Sequence, residues 1–368
     1  MPAATMNAPC ALEDAARNEV MLPAALHTID PLSDKRWDEF VANHPKASVF
    51  HQSGWLRALA DTYRYVPVVL TSAAPTDPLR EAIPFCRVES WITGTRLVSL
   101  PFADHCDPLV DATEPSPEII QWLATEFDGQ QCKYVELRPL TWASCGSLPL
   151  GAGSSYWFHT LDLTPSIEDI FRRLDKDSLQ RRIRRAEREN LVYETGRSEQ
   201  LLGDFYRLLL MTRRRHQWLP QPRAWFHNLA ENLGESLKVR VARKNHNPVA
   251  ALLTLRFRNT VVYKYGCSDE NFHHLGGIPF LFWKLIEESK AEGAELLDLG
   301  RTDLGHDSLV RFKDQFGSTR RQITYLRYPK GSAKQANAAN RTRLRRVWSL
   351  VPDALLSVAG RLAYRHIG

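Results

Sequence analysis

Between Leu191 and Tyr328 two hydrophobic periods alternate in an order that sharply limits the fold. Short apolar runs that read as strands occur at 191–195, 237–242, 249–257, 261–267, 295–299 and 322–328. Stretches with apolar residues three and four apart, which read as helices, occur at 199–212, after Pro222, at 278–291 and around 308–317. The 278–291 stretch is the firmest, because Gly293 follows it at a position suited to a left-handed helix terminus. The order is β-α-α-β-β-β-α-β-α-β, an α/β arrangement of sheet and flanking helices.

The first half offers a blurred version of the same order. Helices are expected at Trp37–Ala42 and from Ser53, where Ser53 would cap a helix carrying Trp55, Leu56, Leu59, Ala60 and Tyr63. Strands are expected at 67–71, 81–88 and 96–100, then a helix at 119–127 and a strand at 134–138. The stretch ASCGSLPLGAGSS (143–155) reads as a loop between units. At 368 residues with 43% hydrophobic content, two cores are the natural expectation. The predicted organisation is a disordered leader (1–30), two tandem units (31–155 and 156–330), and a tail (331–368).

Charge and cysteine usage narrow the setting. A net charge of +6 favours acidic partners. The tail region from Lys330 holds eight Lys/Arg against the single acid Asp353, with Leu344, Val347, Trp348, Leu355 and Leu362 between them. Such a basic amphipathic segment suits an anionic membrane surface, or a helix packed on the protein with solvated arginines. The six cysteines lack C-x-x-C pairs and zinc spacing, so thiols in a reducing compartment are expected, with no metal. No secretory h-region and no run of about 18 apolar residues is present. The expected location is the cytoplasm, with peripheral attachment to the inner face of the cytoplasmic membrane as an extension.

Five places could carry chemistry. Gly276 and Gly277 precede a helix opening at Ile278 with Pro279, a candidate phosphate cradle or a plain strand-to-helix turn. In DKDSLQRRIRRAERENL, Asp177 can cap a helix with Leu179, Ile183 and Ala186 inward; Arg181, Arg182, Arg184, Arg185 and Arg188 exceed what Glu187 and Glu189 can pair. MTRRRHQWLPQP joins Arg213–Arg215 and His216 to Trp218, either a diphosphate-and-stacking site or a basic helix end. SLPFADHCDP sets Asp104, His105 and Asp107 after a strand, groups able to orient an amine or act as a base, or ordinary turn residues. Finally, SLVRFKDQFG read as a helix puts Leu309, Phe312 and Phe316 on one stripe and Lys313 toward the core. A lysine there either snorkels its charge to water or serves a site.

The ordered set SLQRRIRRAEREN, MTRRRHQWLPQPRAWFHNL, VVYKYGCS, the helix from Ile278, ELLDLGRT and RFKDQFGS resembles the FemAB/FemX family, over roughly residues 35 to 330. The likeness is greatest to FemAB-related proteins of exopolysaccharide and PEP-CTERM systems. The resemblance implies two tandem GNAT-like domains with mixed, mostly antiparallel sheets flanked by helices. Characterised members move an aminoacyl group from aminoacyl-tRNA to an amine of a peptidoglycan precursor, while ordinary GNAT enzymes use acyl-CoA. It implies an acyltransferase with no tightly bound cofactor, whose donor is aminoacyl-tRNA or acyl-CoA. The acceptor would be an amine or hydroxyl on an envelope-linked sugar or peptide precursor.

By family position Phe312 and Lys313 are the catalytic candidates, and Gly276, Gly277 and Ile278 the donor loop. Arg214 and Tyr265 are acceptor candidates, joined by Asp104, His105, Arg182 and Arg185. The usual Gly-x-Gly donor loop is missing, which weighs against acyl-CoA, and no coiled-coil arm is encoded. Two other readings stand beside this one: an acyl-CoA-dependent N-acetyltransferase of a small amine, and a non-catalytic polyanion- or lipid-binding protein. The last leaves Lys313 unexplained.

Overall fold

Apolar spacing alone accounts for most of the helices and for the sheet they cover. The computed structural model describes residues 26–110, 119, 121–125, 132–141, 150–329 and 353–366. The first half contains β1 (His27–Ile29), α1 (Arg36–Asn43), α2 (Ser53–Tyr63), β2 (Val66–Thr71), β3 (Ile83–Val88), β4 (Arg96–Val98), helical residues 121–125 and β5 (Val135–Leu137). β6 (Gly151–Asp162), α3 (Ile167–Arg173) and α4 (Arg181–Arg188) follow. The second half runs β7 (Val192–Gly196), α5 (Glu199–His216), α6 (Arg223–Leu233), β8 (Leu237–Lys244), β9 (Asn247–Phe257) and β10 (Thr260–Ser268). It continues through α7 (Gly277–Ala291), β11 (Leu296–Asp303), α8 (Asp307–Asp314) and β12 (Thr319–Tyr328); α9 (Asp353–Tyr364) lies near the C-terminus. From β7 to β12 this is the expected order, element for element.

All the strands join one twelve-stranded sheet, in the order β1-β2-β3-β4-β5-β12-β6-β11-β10-β9-β8-β7. Most pairs are antiparallel. The two parallel pairs repeat one device: β4 pairs β5 across the helical residues 121–125, and β10 pairs β11 across α7. β10 and β11 stay paired only from Thr260–Val262 against Leu296–Asp298. Beyond that point β10 follows β9, bulging between Tyr263 and Tyr265, while β11 follows β6 with a bulge between Asp298 and Gly300. The strands therefore part, leaving a gap between them.

Packing follows the expected stripes. On α2, Trp55, Leu56, Leu59 and Tyr63 face inward, and Trp55 meets Trp225 of α6 edge-on at 5.2 Å. Ser198 caps α5, its hydroxyl accepting from the Leu201 amide, and Phe205, Leu208 and Leu209 point to the sheet. α7 buries Phe280, Leu281, Phe282, Leu285 and Ile286, and Gly293 (φ 78°) follows its end. Each such side chain contributes roughly 1.5–3 kcal/mol on leaving water, so α7 is a rigid base for whatever its N-terminus holds.

Several expectations need correction. The loop expected at 143–155 is in part a strand: residues 142–149 lie outside the described residues, but Gly151–Ser155 open β6, which runs between β11 and β12. Its first residues, GAGSS, lack apolar alternation because pairing with β12, not a pattern of their own, holds them extended. The leader ends earlier than residue 30, since β1 pairs with β2 from His27. The helix expected from Asp177 is capped by Asp175, whose carboxylate accepts from the Ser178 amide at 2.7 Å, and its first turn (Lys176–Gln180) is a π-helix. Gln52, not Ser53, occupies the cap of α2. Residues 1–25 and most of the basic tail, 330–352, lie outside the described residues. Cys86, Cys106, Cys132 and Cys267 are free and buried.

Candidate active site

Lys313 lies on the inner face of α8, 3% exposed. Its Nζ donates to the carbonyls of Gly300 (2.9 Å) and Arg301 (3.1 Å), just past the point where β10 and β11 part. Burial, reinforced by the charges of Lys264 and Arg301 and opposed by Asp104 and Asp298, lowers its pKa to about 8. An aliphatic stem that merely snorkelled would leave the ammonium in water; this one delivers it to the interior.

The loop after β4 enters the same gap from the first half. The Asp104 carboxylate accepts from Lys264 Nζ on β10 at 2.8 Å and lies 3.6 Å from Arg301 Nε on β11. Burial opposes its ionisation, but Lys264 and Arg301 outweigh that and hold the carboxyl below the usual range. The Tyr325 hydroxyl on β12 donates to the Asp104 carbonyl at 2.7 Å, and Arg301 lies over the Tyr156 ring at 4.2 Å. Lys264 is also ringed by Phe50, Trp55 and Tyr265 at 5.3–5.9 Å. One carboxylate thus spans both parting strands.

Next to Asp104, His105 Nε2 lies 3.0 Å from Asp298 Oδ2, and Asp298 Oδ1 accepts from the Gly300 amide at 2.6 Å. The imidazole is clamped edge-on by Phe50 and Phe158, and its buried Nδ1 has no hydrogen-bond partner among the described residues. A chain of contacts therefore runs from His105 through Asp298 and the Gly300 peptide to Lys313. On the other side His159 faces Asp314 at 3.3 Å; burial and the Lys313 charge push its pKa to about 4, so at neutral pH it adds no charge.

A second group of residues forms a cleft of about 450 Å³ at the N-terminus of α7, lined by Arg182, Ser268, His273, Gly276, Gly277 and Phe312 among others. Ile278 borders it as well. Gly276 has φ 77°, and a Cβ there would lie 2.6 Å from the Arg182 carbonyl, so only glycine lets α4 pack against this loop. Arg215 Nη1 and the Thr212 hydroxyl both donate to the Ser268 carbonyl. His273 has its pKa lowered, by burial first, then by Arg215 against Asp269 and Glu270, with Arg182 adding. Two guanidinium groups and a helix N-terminus thus bear on one cleft, a setting for a phosphorylated ligand. Phe312 lies between this cleft and the rings of Phe282 and Phe316.

The expected site residues therefore divide. Lys313, Asp104 and His105 meet in the gap; Gly276, Gly277, Ile278 and Phe312 form the cleft. Arg182 belongs with the cleft rather than with Asp104 and His105. Arg185 is exposed on α4, and Arg214 occupies the last turn of α5. Tyr265 is buried, its hydroxyl accepting from Gln221 Nε2 (2.7 Å) and Trp225 Nε1 (3.0 Å). Sequence reasoning passes over Lys264, Asp298 and Arg301, and reads Arg215 only within the arginine run 213–215. The first three carried a signal, being charges inside the apolar runs VVYKYGC and LLDLGRT, where an unpaired charge is not tolerated.

A substitution tests the cleft directly. Gly276→Ala adds a Cβ against the Arg182 carbonyl at a positive φ, for a cost of about 1–3 kcal/mol. The melting point is expected to fall and binding of a phosphorylated ligand such as CoA to weaken in calorimetry.

Residues 174–314 match a family model described as an acetyltransferase (GNAT) domain. The chain superposes on the crystal structure of FemX with a TM-score of 0.65 at 12% identity, covering 83% of this chain and 97% of that one. A tandem GNAT protein from the clavulanic acid biosynthesis pathway gives 0.49 at 9% identity, covering 84% and 100%. The C-terminal domain of a putative lysylphosphatidylglycerol synthetase from Agrobacterium fabrum gives 0.49 at 14%, covering 75% and 84%. No curated protein matches the sequence significantly. Residues 174–314 thus resemble a GNAT domain, and the chain has the fold of FemX.

Proposed function

We propose that this protein is an acyltransferase that moves an acyl or aminoacyl group from a phosphorylated carrier to an amine or hydroxyl of a cell-envelope precursor. The observation that carries this reading is Lys313, a buried ammonium one residue from the donor cleft and in the same gap as Asp104. Aminoacyl-tRNA and acyl-CoA share the needed chemistry, an activated ester or thioester on a phosphate-bearing handle. The helix N-terminus at Gly277, with Arg182 and Arg215, suits the phosphates of either.

The donor carbonyl would reach past Phe312 into the gap. Attack by the acceptor's nitrogen or oxygen forms a tetrahedral oxyanion; its collapse releases the carrier's hydroxyl or thiol, and the acceptor's proton leaves with it or to solvent. Lys313 has three N–H donors and spends two on the Gly300 and Arg301 carbonyls. The third is free to donate to the oxyanion, in a site where water is scarce and such a bond is strong. Asp298 holds the Gly300 peptide, and through it the orientation of that ammonium. The acceptor would approach from the first half, beside Asp104 and His105.

Purified protein incubated with labelled aminoacyl-tRNA or labelled acyl-CoA and an envelope extract distinguishes the donors. RNase abolishes product in the first case, and free thiol appears in the second. Product from neither donor would overturn the reading.

The pH dependence has a definite sign. The folded pKa of Lys313, about 8, is below its ordinary value of 10.5. Between those values the unfolded chain binds more protons, so the contribution of Lys313 to stability rises with pH across that window. Turnover that uses the ammonium falls over the same window. Melting points and rates from pH 7 to 10 are expected to show these opposite slopes, and Lys313→Met to flatten the rise in melting point.

A further inference from the structure

Among the described residues no helix is long and apolar enough to cross a membrane, yet one surface presents apolar side chains that the described residues leave exposed. The turn between β3 and β4 carries Trp91 and Ile92, 89% and 57% exposed. α9 and the turn after it are fastened beside this tip. Ser90 Oγ lies 2.8 Å from His366 Nδ1, and Thr93 Oγ1 and Arg96 Nη2 donate to the His366 carbonyl at 2.9 and 2.8 Å. The Trp91 and His366 rings meet edge-on at 5.7 Å.

The inner side of α9 is equally definite. The Tyr364 hydroxyl donates to the Leu219 carbonyl, the Tyr65 hydroxyl donates to the Tyr364 carbonyl, and Gly360 lies directly against the Pro220 carbonyl. With Gly360 and Tyr364 inward, Leu362 projects outward at 64% exposure, beside the exposed Arg361 and, in the following turn, Arg365. The exposed Lys133 lies over Gly94 of the same turn segment. Three cations thus border the apolar tips, against Glu89 as the acid of the same turn segment.

We propose that this surface docks on an anionic lipid bilayer, with Trp91, Ile92 and Leu362 entering the interface and Arg361, Arg365 and Lys133 over the headgroup phosphates. The apolar groups are separate protruding tips rather than the walls of a groove, which suits insertion between lipids better than shape-matching to a protein. Tryptophan favours the boundary between headgroups and acyl chains. Arginines beside it add attraction specific to negatively charged leaflets. The C-terminal helix, fastened to both halves, would hold the insertion tip and the cations in one plane.

Full-length protein mixed with phosphatidylcholine vesicles, with or without phosphatidylglycerol, tests this by flotation. The wild type is expected to float with the anionic vesicles and to be released by salt. Trp91→Ser with Ile92→Ser, and separately Arg361→Gln with Arg365→Gln, are each expected to lower the bound fraction roughly tenfold with an unchanged melting point. No flotation of the wild type, undiminished flotation of both variants, or retention on immobilised nucleic acid in place of vesicles would each overturn the proposal. The assay contains no donor or acceptor, so its failure leaves the acyl-transfer reading standing, and the reverse holds for the transfer assay.

Discussion

Replacing Lys313 with methionine is expected to remove acyl transfer almost completely while leaving the protein folded. The two effects separate because the lysine is costly to the fold and useful to the reaction. Its pKa falls from 10.5 to about 8, so keeping it charged at neutral pH costs roughly 3 kcal/mol at 1.36 kcal/mol per unit. Methionine fills a similar volume without that cost. It forfeits the two hydrogen bonds to Gly300 and Arg301, each worth about 1 kcal/mol net. The sum predicts a melting point at neutral pH close to that of the wild type, or slightly above it.

Turnover should behave otherwise. Losing a donor aimed at a developing oxyanion in a buried site reduces rates by about 10²–10³. Donor binding, measured by calorimetry, should change little, because the groups proposed to hold the phosphates belong to α4, α5 and the N-terminus of α7. Unchanged product formation would end the catalytic assignment, and a collapsed melting point would make Lys313 a structural residue.

The legible and illegible parts of this chain differ for physical reasons. β7 to β12 could be read because each element buries one face and carries its own period; α7, with five large apolar side chains inward, is the plainest case. β6 could not be read in its first residues, because pairing with β12 holds GAGSS extended with no apolar pattern of its own. Lys313 was legible as an anomaly, a charge on a core-facing stripe. Its partners were not, because helical spacing says nothing about what a side chain meets 13 residues upstream at Gly300. The pairing of Asp104 with Lys264, separated by 160 residues, is set by the loop after β4 crossing into the gap between β10 and β11. Only the assembled sheet brings those positions together.

That pairing leads to the second large effect. Asp104→Ala is expected to destabilise the protein by about 3–5 kcal/mol, the range for removing one partner of a buried ion pair. The Lys264 side chain, 6% exposed among Phe50, Trp55 and Tyr265, would keep its charge without a carboxylate, and Arg301 would lose its nearest anion. Because β10 and β11 have already parted, no strand pairing takes over the work of the bridge. The melting point and urea midpoint should both fall. Combining Asp104→Ala with Lys264→Met removes both charges, and a double-mutant cycle should recover a large part of the loss. Activity distinguishes the two roles of the bridge. If Asp104 only ties the halves together, the double variant regains turnover along with stability. If it also sets the field around Lys313, where it is the strongest opposing charge, stability returns while turnover stays low and the descending limb near pH 8 moves to lower pH. The latter outcome is expected, since the carboxylate that bridges the parted strands is also the one that favours the ammonium between them.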